Sequence, residues 1–249
     1  MVLKIDDLVV TYGTGRTAHR AVDGVSLEVE PHSVVGLVGE SGSGKSTLAR
    51  AVVGLAPITS GRITWAGQPV PATRGRGGAT RRIQYVFQDP YASLDPRMSV
   101  AASIAEGLVG GARRDRRKRV EELLDLVRLD PGDASKLPRE LSGGQRQRVA
   151  IARALAAEPE LLIADEITSA LDVSVQGAVL NILRGIQTAT GVAVLFISHN
   201  LAVVRYVSQR IAVMKDGRLV ELAPTDEVIE TPSHPYTRDL LRAVPTLRV

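Results

Sequence analysis

The sequence predicts an α/β fold around a largely parallel sheet, with antiparallel strands near the N-terminus and a helical segment inserted in the middle. Three observations carry that expectation. Short apolar runs at 34–38, 161–164 and 192–197 alternate with helical stretches, as buried parallel strands and their crossovers do. A glycine-rich loop, residues 39–46, follows the first of these runs and opens a helix. Over 98–127 the pattern turns helical, with Val120, Leu123, Leu124 and Val127 on one face.

Taken in order, residues 3–10 and 22–29 are rich in Val and Leu and read as strands joined by a Gly-containing connection. The run 34–38 ends at Gly39, and helix is expected over 48–55. Residues 62–65 and 83–87 read as strands, and 69–80, dense in Gly, Pro and Arg, reads as a flexible loop. A long helix begins near Gly143, and 173–188 reads as a helix with Val175, Val179, Ile182, Leu183 and Ile186 on one side. After the strand at 192–197 come two more, 211–214 and 219–222, split by the turn Lys215-Asp216-Gly217-Arg218. One domain over 1–249 is expected, with a helical subdomain at about 89–157 and a short C-terminal extension from about 224 to 249.

Hydrophobic residues make up 44% of the chain, enough for a sizeable core. Only 3% are aromatic, so that core must be mostly Val, Leu, Ile and Ala. The absence of cysteine excludes disulfides, thiol catalysis and thiolate metal sites, and fits a reducing compartment. Residues 1–7 lack the basic start and long apolar stretch of a signal peptide. No apolar run approaches the roughly 20 residues a membrane helix needs.

The net charge is +4, and basic residues cluster at Arg113, Arg114, Arg116, Arg117, Lys118 and Arg119. Such a cluster admits a nucleic-acid or lipid patch. The favoured reading is a solvated helix face, because Glu121, Glu122 and Asp125 follow at helical spacing and no aromatic residue interleaves to stack bases.

The chemistry starts at Gly39-Glu40-Ser41-Gly42-Ser43-Gly44-Lys45-Ser46, followed by Thr47, which matches G-x-x-x-x-G-K-[ST] between an apolar strand and a helix. Glycines let backbone N–H groups close on phosphate oxygens, and the helix N-terminus adds favourable partial charge. Lys45 is expected on the β- and γ-phosphates of ATP and Ser46 on Mg²⁺. The strand 161–164 runs into Asp165 and Glu166 at its carboxyl end, where such sheets gather their ligands. Asp165 is expected to support Mg²⁺ and Glu166 to act as general base on the attacking water. Ser142 and Gln145 have the spacing of a capping box, and the same exposed helix start could instead bind an anion.

Leu141-Ser142-Gly143-Gly144-Gln145, continuing as Arg146-Gln147-Arg148-Val149-Ala150-Ile151-Ala152-Arg153-Ala154-Leu155, resembles the signature helix of ATP-binding cassette (ABC) ATPases. The resemblance spans nearly the whole chain. It implies a P-loop NTPase fold of the ABC nucleotide-binding type, with an antiparallel β-subdomain and an inserted helical subdomain. It also implies that residues 141–145 contact the γ-phosphate of ATP held by a second, identical or paralogous ATPase domain. By the same resemblance Tyr12 would stack on adenine, although a lone Tyr after a strand also suits packing. Gln88 would be the Q-loop residue that senses Mg²⁺ and water, and His199 a γ-phosphate contact. Ser169, Ala170, Leu171 and Asp172 would form the D-loop along the dimer interface, although Asp172 could equally cap the next helix.

Residues 88–98, together with Asp172-Val173-Ser174-Val175-Gln176 and Ser233-His234-Pro235-Tyr236-Thr237, are similar to the ATPases of oligopeptide, dipeptide and nickel importers. That likeness implies import of a peptide or similar small solute by two separate membrane permease subunits, an indirect extracytoplasmic solute-binding protein, and attachment to the cytoplasmic face of the cell membrane. Tyr91 and Leu94 are expected to dock the permease, and no nucleic acid is expected as a partner. Ile167 stands where the family usually has Pro. The chain ends soon after the His-Pro-Tyr-Thr segment, which suits a short family member or half of a tandem ATPase. The alternative functions are an ABC ATPase of a soluble assembly such as phosphonate carbon–phosphorus lyase, and a nucleic-acid-associated ABC protein.

Overall fold

Alternating burial draws the first strand: β1 (Leu3–Tyr12) hides Leu3, Ile5, Leu8 and Val10 and leaves the residues between them partly exposed. The alternation slips once, where the pairing register shifts between Ile5 and Leu8 and Asp7 takes φ 46°, the mark of a bulge. The computed structural model describes residues 3–70, 82–110 and 112–243, and the chain divides into two compact units, Met1–Thr80 with Ala193–Val249 and Arg81–Val192.

In the first unit, β1 pairs antiparallel with β2 (His19–Val29) and β4 (Ser60–Trp65), and β5 (Gln68–Pro69) extends the sheet in the order β2-β1-β4-β5. Beside it, β3 (Val34–Val38) lies parallel to β8 (Ala193–Ser198) and β9 (Arg210–Lys215), and β10 (Arg218–Pro224) closes a hairpin with β9. Every residue of β3 and of β8 is buried, so these strands read as unbroken apolar runs rather than alternating ones. Helices α1 (Lys45–Val52), α7 (Leu201–Val207), α8 (Thr225–Glu230) and α9 (Pro235–Ala243) belong to the same unit. Helix α1 starts three residues earlier than the periodicity suggests, because its first turn is the polar end of the glycine loop.

In the second unit, β6 (Ile83–Val86) and β7 (Leu161–Asp165) run parallel. Its helices are α2 (Pro90–Ser93), α3 (Val100–Ala105), α4 (Arg113–Leu126), α5 (Gly143–Leu155) and α6 (Val173–Thr190). The helical stretch expected over 98–127 is two helices. Gly107 ends the first against α5, where a Cβ would lie 2.2 Å from the Arg153 carbonyl oxygen. The loop expected at 69–80 lies outside the described residues beyond Val70, as does the end of the C-terminal extension beyond Ala243.

The basic face of α4 carries ion pairs from Arg117 to Glu121, Lys118 to Glu122, and Arg119 to Glu122 and Glu158. These are the exposed pairs of a solvated helix. Among the described residues no helix is long and apolar enough to cross a membrane.

Candidate functional site

The first unit presents the glycine loop between β3 and α1. Two of its glycines are required by their surroundings. A Cβ on Gly39 would sit 2.2 Å from the Met214 carbonyl oxygen, and one on Gly44 2.2 Å from the Ala21 carbonyl oxygen, with Gly44 at φ 100°. The first hydrogen bond inside α1 runs from Leu48 N–H to Gly44 O, so the turn before it directs its N–H groups out of the helix end. Lys45 is only 4% exposed, and its ammonium donates to Gly39 O at 2.8 Å, Glu40 O at 2.7 Å and Ser43 Oγ at 3.4 Å. The lysine therefore folds back along its own loop, beside the concavity its backbone makes.

Two other expected residues lie in this unit. Tyr12 ends β1 opposite His19 and is 39% exposed, a free edge rather than a packed one. His199 follows the last residue of β8 and is exposed, while its neighbour Asn200 caps α7 by accepting from Ala202 N–H and Val203 N–H.

The second unit brings four expected positions together. Gln88 Nε2 donates to Glu166 Oε2 and to Ser169 Oγ, both at 3.1 Å, and Ser169 Oγ donates to Glu166 O at 2.9 Å. Asp165, at the end of β7, accepts a short hydrogen bond from the Tyr85 hydroxyl on β6. Glu166 takes φ 47°, a left-handed conformation that costs a non-glycine residue free energy and is over-represented at functional sites. Ile167, next to it, is 1% exposed, so an apolar anchor holds the turn where the family usually places Pro.

Ser142 and Gln145 form the capping box their spacing suggests: Gln145 N–H donates to Ser142 Oγ at 3.2 Å, and Ser142 N–H to Gln145 Oε1 at 2.9 Å. Ser142 stays exposed after this. Gly144 is buried, and a Cβ there would meet Val175 Cγ1 at 2.5 Å, so the second glycine lets α5 close on α6. Leu171 lies 3.4 Å from the place of a Gly143 Cβ, which sets residues 169–172 beside the start of α5. Asp172 precedes α6, but its side chain makes no capping bond, so the helix-cap alternative for it is not realised.

Of the two docking positions, Tyr91 is 63% exposed and Leu94 is 4% exposed. Leu94 packs the unit's interior instead of facing a partner. Tyr91 lies under the Arg146 guanidinium, 3.7 Å from ring centroid, and Arg153 donates to Ser93 O. Helix α5 thus holds α2 at two points.

The roles of Tyr85, Arg146, Glu221 and Tyr236 were not legible in the sequence. Arg146 and Tyr236 stood only inside longer similar segments, with no hint that Tyr236 reaches the glycine loop: Glu40 N–H donates to its hydroxyl at 3.0 Å.

The donor set fits a triphosphate and a hard cation. Among the described residues no group of three or more His, Asp and Glu could hold a metal alone. Mg²⁺ in nucleotide sites takes one or two protein carboxylates and draws its other oxygens from phosphates and water, so a nucleotide-bound cation needs no such cluster.

Comparison with known proteins agrees with this chemistry. A family model described as ABC transporter matches residues 22–169, and one described as oligopeptide/dipeptide transporter, C-terminal region, matches 220–249. The oligopeptide transport ATP-binding protein OppF of Bacillus subtilis (strain 168) is 47% identical over 251 residues, covering 98% of this chain and 82% of that protein. Among solved structures, the ATP-binding cassette MJ0796, dimeric in a post-hydrolysis state with ADP and Pi, superposes with TM-score 0.79 at 30% identity, over 90% of this chain and 98% of that one. The cbiO1 protein of Clostridium perfringens, part of the ABC transporter complex cbiONQ, gives TM-score 0.82 at 29% identity, over 91% and 90%.

Proposed function

Because this chain belongs to the ABC transporter family, we propose that it is the ATPase subunit of a peptide import system, working on separate membrane permease chains. It is an ATP hydrolase of the ABC type with the nucleotide-binding fold of that family. The observation that carries the peptide reading is its identity of 47% to an oligopeptide transport ATPase over 98% of its length. The similar proteins lend no support to the phosphonate carbon–phosphorus lyase alternative.

In the first unit, the backbone of residues 39–47 would cradle the phosphates of ATP, Lys45 would neutralise the β- and γ-phosphates, Tyr12 would flank the adenine, and His199 would contact the γ-phosphate. Ser46, Asp165 and Gln88 would hold Mg²⁺, which spreads the charge of the phosphate oxygens. Glu166 would accept the proton of the attacking water. Its carboxylate is oriented for this by the Gln88 amide and by the strained backbone beneath it.

A second ATPase domain would supply the edge Leu141, Ser142, Gly143, Gly144 and Gln145, with residues 169–172 along the contact. The dimeric relative bound to ADP and Pi supports that pairing. Two permease subunits would dock near Gln88 and Tyr91 and draw the chain to the cytoplasmic face of the membrane. A solute-binding protein would act through them.

The test is reconstitution in lipid vesicles with candidate permease and peptide-binding chains. ATP-dependent uptake of labelled peptide, with hydrolysis stimulated by the loaded binding protein, is the expected result. Hydrolysis indifferent to every peptide, with no uptake, would sink the peptide assignment.

A further inference from the structure

The segment Ser233-His234-Pro235-Tyr236-Thr237 has no part in the reaction as derived so far, yet each of its residues is engaged. Ser233 N–H donates to Glu221 Oε1 at 2.8 Å, His234 N–H to Glu221 Oε2 at 3.1 Å, and the Thr237 hydroxyl to the same oxygen. The His234 ring accepts from Tyr236 N–H through Nδ1 at 3.2 Å, capping α9, and Pro235 occupies the first helical position, where no N–H is needed. Glu221 is 8% exposed on β10. Burial alone would raise its pKa, but the Thr237 hydroxyl and the two backbone donors outweigh that and hold it below a glutamate's ordinary value. One buried carboxylate thus fixes the start of α9.

What this anchoring delivers is the Tyr236 side chain, 6% exposed, with its hydroxyl 3.0 Å from Glu40 N. The carbonyl of that same peptide group, Gly39 O, accepts from Lys45 Nζ at 2.8 Å. The Gly39–Glu40 peptide is therefore gripped at both ends, by the loop's lysine and by the C-terminal tyrosine. Lys215 Nζ lies 4.9 Å from the Tyr236 ring centroid, and Gly217 N–H donates to Ser43 O at 3.1 Å, so the β9–β10 turn braces the loop as well.

We propose that Tyr236 is a positioning residue of the ATP site: carried on the Glu221-anchored start of α9, its hydroxyl orients the Gly39–Glu40 peptide and through it Lys45. The inference rests on the reading of residues 39–46 as the ATP phosphate site. Burial also pushes the Tyr236 phenol above its ordinary pKa, so the hydroxyl stays neutral at physiological pH.

Tyr236→Phe in the full chain removes the oxygen and keeps the ring. MgATP affinity is measured by calorimetric titration, hydrolysis by steady-state kinetics, and stability by thermal melting. One lost hydrogen bond predicts a Kd for MgATP raised about 3- to 10-fold. KM should rise more than kcat falls, and the melting temperature should hold. Glu221→Gln should weaken affinity in the same direction, and the double variant should bind no worse than the weaker single variant, because both act through one contact. Tyr236→Phe binding MgATP like the parent would overturn the proposal. So would an affinity loss that merely follows the unfolded fraction. A parent chain that binds no ATP would instead defeat the reading of residues 39–46, and this inference with it.

Discussion

The side-chain amide of Gln88 donates to the Glu166 carboxylate, Nε2 to Oε2, at 3.1 Å, and reaches Ser169 Oγ at the same distance. The residue implied to sense Mg²⁺ and water and the residue implied to activate water thus share one hydrogen bond, with Ser169 tied to both.

Glu166→Gln should keep ATP binding and lose turnover by about 10² to 10⁴, the usual contribution of a general base. Gln88→Ala should lower turnover as well, and adding it to Glu166→Gln should cost little more, because residues acting as a unit are not additive. Nucleotide binding and hydrolysis measured on all three variants check this. Near-normal turnover in Glu166→Gln would remove Glu166 from its role.

Ser142 separates two functions by two substitutions. Ser142→Ala breaks the capping box and should cost roughly 0.5–2 kcal/mol of stability. Ser142→Arg should block hydrolysis while leaving ATP binding to the single chain unchanged, because a bulky cation would obstruct the edge offered to the second domain. Melting temperature, ATP affinity and turnover are compared. If Ser142→Arg melts early and its folded fraction turns over normally, Ser142 is a helix cap alone.

Tyr91 and Leu94 should part company. Leu94→Ala empties a buried site and should cost about 2–5 kcal/mol of stability. Tyr91→Ala removes an exposed ring, should leave the fold intact, and should weaken recovery of the permease from detergent extracts. ATP binding by the isolated chain is measured alongside as the control. Undiminished permease recovery by Tyr91→Ala would place the docking surface elsewhere.

Acid should loosen the C-terminal anchor. Glu221 has a folded-state pKa below its ordinary value, so its contribution is fully present above the ordinary glutamate pKa and is lost as pH falls through the lower folded value. Hydrogen exchange of the Ser233 and His234 amides, both of which donate to the Glu221 carboxylate, reads the event against pH. Glu221→Gln should abolish this acid step.

The sequence by itself determined the strands that are buried on both sides, the glycine loop, the acid pair and the capped helix. Each is a local pattern: an unbroken apolar run marks a strand covered on both faces, and the loop's chemistry resides in its own backbone and one lysine. Ser142 and Gln145 were legible as a box because their contact spans three residues. Only the tertiary structure decided which residues serve those patterns from a distance. Glu40 and Tyr236 are 196 positions apart, Tyr85 and Asp165 are 80 apart, and Gln88 and Glu166 are 78 apart. It also decided that Leu94 is interior while Tyr91 is surface, and that Gly144 must be bare to clear Val175. Periodicity reports which face of an element is apolar. Which side chain finds which partner depends on how strands and helices stack, and that is a property of the folded chain alone.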